Sequence, residues 1–343
     1  MLLPNIHQNF GKNLLIFKMN APIAFFCFNR ADKTKLVLET LAKNDLAKES
    51  DIYIFCDGPR NIKDLKDIME VHKVIDEAQG FRKKYLAKRE INHGSQFSII
   101  YGINQVLEKH DSIIVVEDDI ITAPSFLKFT NEALNFYKDE KNIWCVSGFN
   151  YPKNLITFPQ NYSEDIFFVK GKNSSWGWGT WKDRWQKIDF EIRDYEDFVS
   201  NKELVAKFNR AGSNMADMLR MQHSGKINAW DIQMSYAMFK NDGYSMQSIK
   251  PLTKNIGFDS SGTHTFSDLD LTSFKFENIS DFKFKKLAEI TNNDIAEKAY
   301  LDFHRDPFFL LKWARSKKKR KNFKWLFVGI IFAELINLVF QIF

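Results

Sequence analysis

The sequence predicts an α/β protein with a mainly parallel sheet flanked by helices. Three observations carry this. Over the first 120 residues, apolar strand-like runs alternate with segments spaced for helices, the order of a doubly wound sheet. Within that alternation, Ile113–Val116 is four consecutive β-branched residues, too apolar for a half-exposed strand and suited to one covered on both faces. That strand then ends in Glu117, Asp118 and Asp119, which sets three carboxylates at the carboxyl edge, where open α/β sheets hold their ligands.

In chain order, the first core strand is Ile23–Phe28, followed by a helical segment over Lys33–Ala42. A second strand, Asp51–Phe55, runs into Cys56-Asp57-Gly58-Pro59, a turn signal. Ile62–Gln79 is charge-rich with apolar residues at helical spacing. A short extended piece at Glu90–His93 precedes Phe97–Leu107, whose apolar face suits packing on the sheet. After the acidic edge, Ala123-Pro124-Ser125 opens a helix over Ser125–Tyr137, and Ile143–Val146 returns as a strand. The character then changes. SSWGWGTWKDRW sets four tryptophans among glycines, and no single period fits it. Large rings on a flexible backbone suit a ligand or sugar platform better than a buried core element, with a Trp-rich core loop as the plainer alternative. Asp197–Met221 and Trp230–Phe239 read as helices, Pro251–Gly262 as a loop and Phe266–Phe284 as irregular.

A chain of 343 residues with 44% hydrophobic content has ample material for a core, and its 33 phenylalanines are spread at ordinary core spacings. The formal net charge of +6 owes much to Lys317–Lys321 beside Arg315. The remainder is near balance, so no nucleic-acid surface is expected. Cys27, Cys56 and Cys145 lie in apolar strand contexts without the spacing of a zinc site, and read as reduced buried thiols. Residues 1–20 read as an extension without a secretory signal, so a cytoplasmic location is expected. Residues 301–343 form a basic linker and an apolar tail. Trp325–Phe343 carries Glu334, Asn337 and Gln341 on one narrow stripe, and as a helix it would be roughly 28 Å long. Glu334 at mid-bilayer would cost on the order of 2.5–3.5 kcal/mol. An interfacial helix next to a basic cluster avoids that, so peripheral association with the anionic inner face of the cell membrane is the favoured expectation, against a tail packed on protein or a spanning one.

Carboxylates at a sheet edge, a Trp/Gly segment and later isolated acids suggest a nucleotide-sugar site. A nucleoside diphosphate leaves readily only if its developing charge is neutralised, and a divalent metal held by an aspartate does so. Hard oxygen ligands favour manganese or magnesium over zinc. An acceptor hydroxyl must also give up its proton, and a carboxylate can take it.

Four blocks in order carry a resemblance: IAFFCFNR, FCDG, VVEDDIITAPSFLKFTNEAL with its sequel NIWCVSGFN, and SSWGWGTWKDRW with AWDIQM. They resemble the GT-A fold glycosyltransferases, and within them the inverting N-acetylglucosaminyltransferase I type, over about Ala21–Thr265. The resemblance divides the chain into a donor half, 21–150, and an acceptor half, 151–300. It implies a UDP-sugar donor, a glycan or lipid-linked acceptor and a Mn2+ or Mg2+ cofactor. Asp119 would ligate the metal, with Glu117 and Asp118 on the donor sugar and ribose, and Arg30 and Asp57 on the nucleotide. Asp231 would be the catalytic base, and His264 would touch the pyrophosphate from a loop. Trp176 and Trp178 would shape the acceptor pocket. Each has a plainer alternative: an acidic strand end or the N-cap region of the next helix for Glu117 to Asp119, a surface ion pair for Arg30, a turn cap for Asp57, a helix N-cap for Asp231, core filling for the tryptophans and an ordinary loop residue for His264. Ile232-Gln233 after Trp230-Asp231 departs from a more acidic and aromatic continuation, which puts the acceptor in doubt. Two rivals stand beside this reading. A sugar nucleotidyltransferase would need a glycine-rich phosphate loop where Asn29–Lys33 has no glycine. The other is a non-catalytic, membrane-tethered glycan-binding scaffold.

Overall fold

The structure, a computed structural model, describes residues 20–151, 156–160, 162–257, 276–277, 279 and 281–305. The apolar runs at the front of the chain become parallel strands covered on both faces. β1 (Ile23–Cys27) is buried throughout and pairs in register with β2 (Asp51–Cys56) on one side and β4 (Ser112–Glu117) on the other, so that Ile23 lies beside Ile52 and Ile114. Between them α1 (Ala31–Ala42) buries Val37, Leu38 and Leu41, and α2 (Leu65–Glu77) buries Ile68, Val71 and Ile75, the expected i, i+3, i+7 stripe. α3 (Ser95–Leu107) covers the opposite face with Ile99, Ile103 and Val106. Alternation along β1 divides the core, with Phe25 facing α1 and α2 and Phe26 facing α3.

The strand before α3 is β3 (Lys83–Lys88), not the piece expected at Glu90–His93. KKYLAK brackets Tyr85–Ala87 with lysines at both ends and forms an edge of the sheet beside β2, where lysines guard the open side.

Beyond β4 the chain forms β5 (Ile120–Thr122), α4 (Phe126–Phe136), β6 (Ile143–Ser147), β7 (Ile166–Lys170), β8 (Trp178–Trp181), α5 (Lys182–Trp185), α6 (Tyr195–Ser200), α7 (Lys202–Phe208), α8 (Met215–His223), α9 (Trp230–Lys240), β9 (Tyr244–Ser248), β10 (Thr253–Asn255) and α10 (Asn293–Arg305). The eight-stranded sheet has the order β3-β2-β1-β4-β8-β6-β9-β7. β8 runs antiparallel between β4 and β6, and β7 antiparallel on β9, so the sheet is mostly parallel with two reversed strands.

WGTW is therefore a fully buried central strand and not an irregular platform. Its glycine explains the position: a Cβ on Gly179 would lie 3.0 Å from the Ile113 carbonyl and 3.0 Å from the Thr130 methyl, so only glycine lets α4 approach this closely. KDRW serves the same seam. Buried Arg184 donates to the carbonyls of Tyr137, Lys138 and Glu140, satisfying the chain where α4 ends. The long helix expected over Asp197–Met221 is three short ones, because Asn201 caps α7 by accepting from Glu203 and Leu204 N–H groups and Gly212 breaks the next turn in extended backbone. Part of the loop expected at Pro251–Gly262 is β10, antiparallel to β5. β7 and β9 lie outside the strands expected from the sequence: IFFVK is a short apolar run, and YSMQS is a short, largely polar alternation after the turn residues Asn241-Asp242-Gly243. The three cysteines are free and buried. No helix among the described residues is long and apolar enough to cross a membrane, and the tail at 306–343 lies outside them.

Candidate functional site

Among the described residues, Asp57 and Glu117 to Asp119 sit at the carboxyl ends of β2 and β4. β4 delivers Glu117 at its last position, with Asp118 and Asp119 in the turn before β5. Arg30, the residue that precedes α1, reaches across from the end of β1. Its Nη2 donates to Asp118 Oδ1, and to Asp119 Oδ2 at 3.1 Å, while Nε donates to Asp118 Oδ2 at 3.3 Å. The guanidinium thus clamps Asp118 and holds one oxygen of Asp119. Burial opposes the charge on Arg30, but Asp118 and then Asp119 outweigh it and hold the guanidinium above its ordinary range. Burial pushes Asp118 up, against the opposing pull of Arg30.

Asp231, over a hundred residues later, stands in the first turn of α9. Trp230 orients this helix end by stacking on Trp178, with ring centroids 5.3 Å apart and planes 22° apart. The Asp231 charge reaches Glu117. Burial first, then Asp119, Asp118 and Asp231, push the Glu117 acid up to about 8, with only Arg30 opposing. A second cation approaches from the other side: Lys172, just past β7, is pushed down to about 8 by burial, and Asp231 partly restores it. The site therefore gathers four carboxylates around two cations, and the half-buried glutamate holds a proton that an ordinary glutamate would release.

The other predicted residues fall differently. Asp57 is buried and its oxygens accept from the backbone N–H groups of Gly58 at 3.0 Å, His93 at 3.1 and 3.2 Å and Gly94 at 2.9 Å. Gly58 is fixed by the same junction, since a Cβ there would lie 2.5 Å from the Ile91 backbone. The Asp-Gly pair locks the segment that opens α3, and in this arrangement the carboxylate faces protein N–H groups where the sequence suggested a nucleotide.

Trp178 corrects a second expectation. It is fully buried between Trp185 and Trp230 and belongs to the core beneath the site, so it has no face to offer an acceptor. Trp176 is half-buried, edge-on to Phe149 at 4.5 Å, and its carbonyl accepts from Thr253 Oγ1 at 2.6 Å. His264 lies outside the described residues.

Sequence reasoning missed Lys172, which follows an unread strand, and Gly257. The Ile256 N–H donates to the Asp119 carbonyl at 2.7 Å, and a Cβ on Gly257 would lie 2.5 Å from Asp119 Oδ2. The chain after β10 thus passes directly over the Asp119 carboxylate, and any larger residue at 257 would push that carboxylate aside.

Among the described residues no three His, Cys, Asp or Glu side chains converge to enclose a metal by themselves. The donor set nevertheless suits a hard divalent cation: all-oxygen, in surplus negative charge, with Asp119 half-buried and one of its oxygens clear of Arg30. An ion held there would take its remaining ligands from bound substrate and water.

No family model matches this chain, and no curated protein matches it. Among solved structures it is similar to the mannosyltransferase PcManGT from Pyrobaculum calidifontis in complex with GDP-Man and Mn2+, at 10% identity over 65% of this chain and 75% of that one, with a TM-score of 0.36.

Proposed function

We propose that this protein is a glycosyltransferase of the GT-A fold, metal-dependent and inverting, resembling the N-acetylglucosaminyltransferase I type, that moves a sugar from a UDP-sugar to a hydroxyl of a glycan or lipid-linked acceptor. The observation that carries the reading is the meeting of the β4 carboxylates with Asp231, more than a hundred residues away in sequence, at one buried site where burial first, then the charges of Asp119, Asp118 and Asp231, raise Glu117 to about 8. Such crowding serves a ligand that brings positive charge or hydrogen-bond donors.

The roles divide by position. Asp119 holds Mn2+ or Mg2+, which when bound neutralises the diphosphate leaving group. Asp118, fixed by Arg30, and protonated Glu117 offer hydrogen-bond partners to the ribose and donor-sugar hydroxyls. Arg30 needs only to swing from Asp119 to face phosphate, and stays charged as it does so. Asp231 accepts the proton of the attacking hydroxyl, with Lys172 behind it stabilising the carboxylate. The residues 21–150 supply the donor half and 151–300 the acceptor half. The basic run Lys317–Lys321 and the apolar Trp325–Phe343 support attachment to an anionic membrane at the cytoplasmic face, where lipid-linked acceptors are built.

The test is thermal stabilisation and donor hydrolysis with a panel of UDP-hexoses and UDP-N-acetylhexosamines, with and without manganese. Asp119→Asn removes metal-dependent stabilisation by UDP. Asp231→Asn keeps donor binding and loses turnover. Silence across the whole panel defeats the transferase reading, whereas turnover that survives in Asp231→Asn removes that residue as the base. Truncation after Arg315 should release the protein from anionic vesicles.

A further inference from the structure

On the outer face of α3, just beyond the loop locked by Asp57, His93, Phe97 and Tyr101 succeed one another at four-residue spacing. Their rings are near-parallel, with centroids 4.9 Å apart for His93 and Phe97 at 24°, and 5.9 Å apart for Phe97 and Tyr101 at 14°. The Arg89 guanidinium lies 5.0 Å from the Phe97 ring and 4.6 Å from that of Tyr101, and fixes both. Phe97 and Tyr101 remain 48% and 42% exposed, which is unusual for two adjacent large rings on a helix that already has a full apolar face toward the sheet.

The rings line a groove of about 340 Å³ whose other polar walls are Gln96, Asn104 and Asn228. Its lining residues include no carboxylate or lysine, and the Arg89 guanidinium beside it is already packed against the Phe97 and Tyr101 rings. Asn228 lies three residues ahead of Asp231. Gln96 donates to Gln233 Oε1 at 3.1 Å and accepts from Gln222 Nε2 at 2.9 Å, so the groove wall is tied to α9 and α8. The groove therefore borders the segment that leads into α9, the helix that carries Asp231.

We infer that this groove binds the non-reacting part of a neutral saccharide acceptor. The chemistry selects the occupant. Rigid aromatic faces take the C–H face of a pyranose, and neutral amides donate to and accept from its hydroxyls. A phosphate-bearing or nucleic-acid ligand would want cations along the groove, and a protein partner would need far more surface, about 800 Å² a side. The volume falls in the ~300–1,000 Å³ range of small-ligand sites. The inference rests on the transferase reading for the word acceptor, but saccharide binding itself needs neither nucleotide nor metal and is measured without them.

The experiment is saturation-transfer NMR of the full chain with a panel of neutral gluco-, manno- and galacto-oligosaccharides of two to six residues. At least one binds. Phe97→Ala and Tyr101→Ala each weaken it by about tenfold, the size of a lost aromatic contact. Tyr101→Phe retains binding, and the melting temperature of every variant stays near that of the parent because both rings are exposed. No binding across the panel, or unchanged binding in the double alanine variant, overturns the assignment. Displacement of the saccharide by uridine would give the groove to the donor base, and loss of a dimer in sedimentation on removing the rings would give it to a second copy. Either result also overturns it. Failure of the UDP-sugar panel alone leaves the saccharide result standing, so the two readings fail separately.

Discussion

Arg30→Met is the most direct probe of the acidic site. The guanidinium gives three donations to two carboxylates, with Asp118 almost wholly buried. Removing one member of a buried pair leaves the other charge uncompensated, typically at 3–5 kcal/mol. Arg30 keeps some solvent contact and Asp119 is only half-buried, so the lower end applies, and about 3 kcal/mol is expected. Asp118→Asn removes the stranded charge and retains a hydrogen-bonding side chain of the same shape. The double variant should therefore recover about 2 kcal/mol of the Arg30→Met loss. Urea denaturation at neutral pH of the parent, both single variants and the double variant closes the cycle, provided the dependence on urea concentration is common to all four. Additivity within about 0.5 kcal/mol would refute the clamp, because two groups that do not interact cannot show a coupling energy.

Trp178→Ala opens a cavity beneath α9 and should destabilise by about 3–5 kcal/mol, with Trp178→Phe much milder; a variant that kept its denaturation midpoint would return this ring to the surface. Asp57→Ala leaves three backbone N–H groups without their acceptor, and a loss of about 2–3 kcal/mol with faster amide exchange over residues 91–95 is expected; unchanged exchange would show that the lock is unnecessary. Lys172 binds its proton less readily folded, near pH 8, than unfolded, near 10.5, so its contribution is fully present above 10.5 and lost as pH falls to about 8. Lys172→Met should therefore flatten that slope and be roughly 3 kcal/mol more favourable relative to the parent at pH 7.5 than at pH 10.5, and parallel stability curves for the two proteins would contradict it.

The first half of the fold was legible because its signals are local. Each parallel strand is a continuous apolar run between turn residues, and each helix shows its stripe. Glu117–Asp119 could be placed at the ligand edge because a buried strand has only one direction in which to end. The second half was harder because neighbours in the sheet are far apart in sequence. WGTW has no strand period, being covered on both faces by groups the local sequence does not name, and Gly179 declares its reason only against Ile113 and Thr130. Asp57 was recognised as special and its partners were not, since the N–H groups it accepts come from a segment thirty-six residues away. Lys172 and Gln96 act through tertiary neighbours and leave no mark a single sequence can show.

The four-residue strand β8 has a further consequence for the order of events. Residues 23–117 can pair β1, β2, β3 and β4 among themselves as soon as they are synthesised. β6, β9 and β7 form a second set whose pairing waits for residue 248. Within the sheet the two sets meet through β8, whose ladders join Ser112 to Trp181 and Val115 to Trp178 on one side and Cys145 to Thr180 and Ser147 to Trp178 on the other. The β4 carboxylates ride on the first set and Asp231 on α9, so their approach waits for that seam and for the contacts that flank it, Gln96 to Gln233 and β10 to β5. Contacts this distant along the chain form slowly. The protein should thus pass through a state in which half the sheet is native and its acids are still apart, and the acidic cluster would be completed by the last strands to dock rather than by the first to fold.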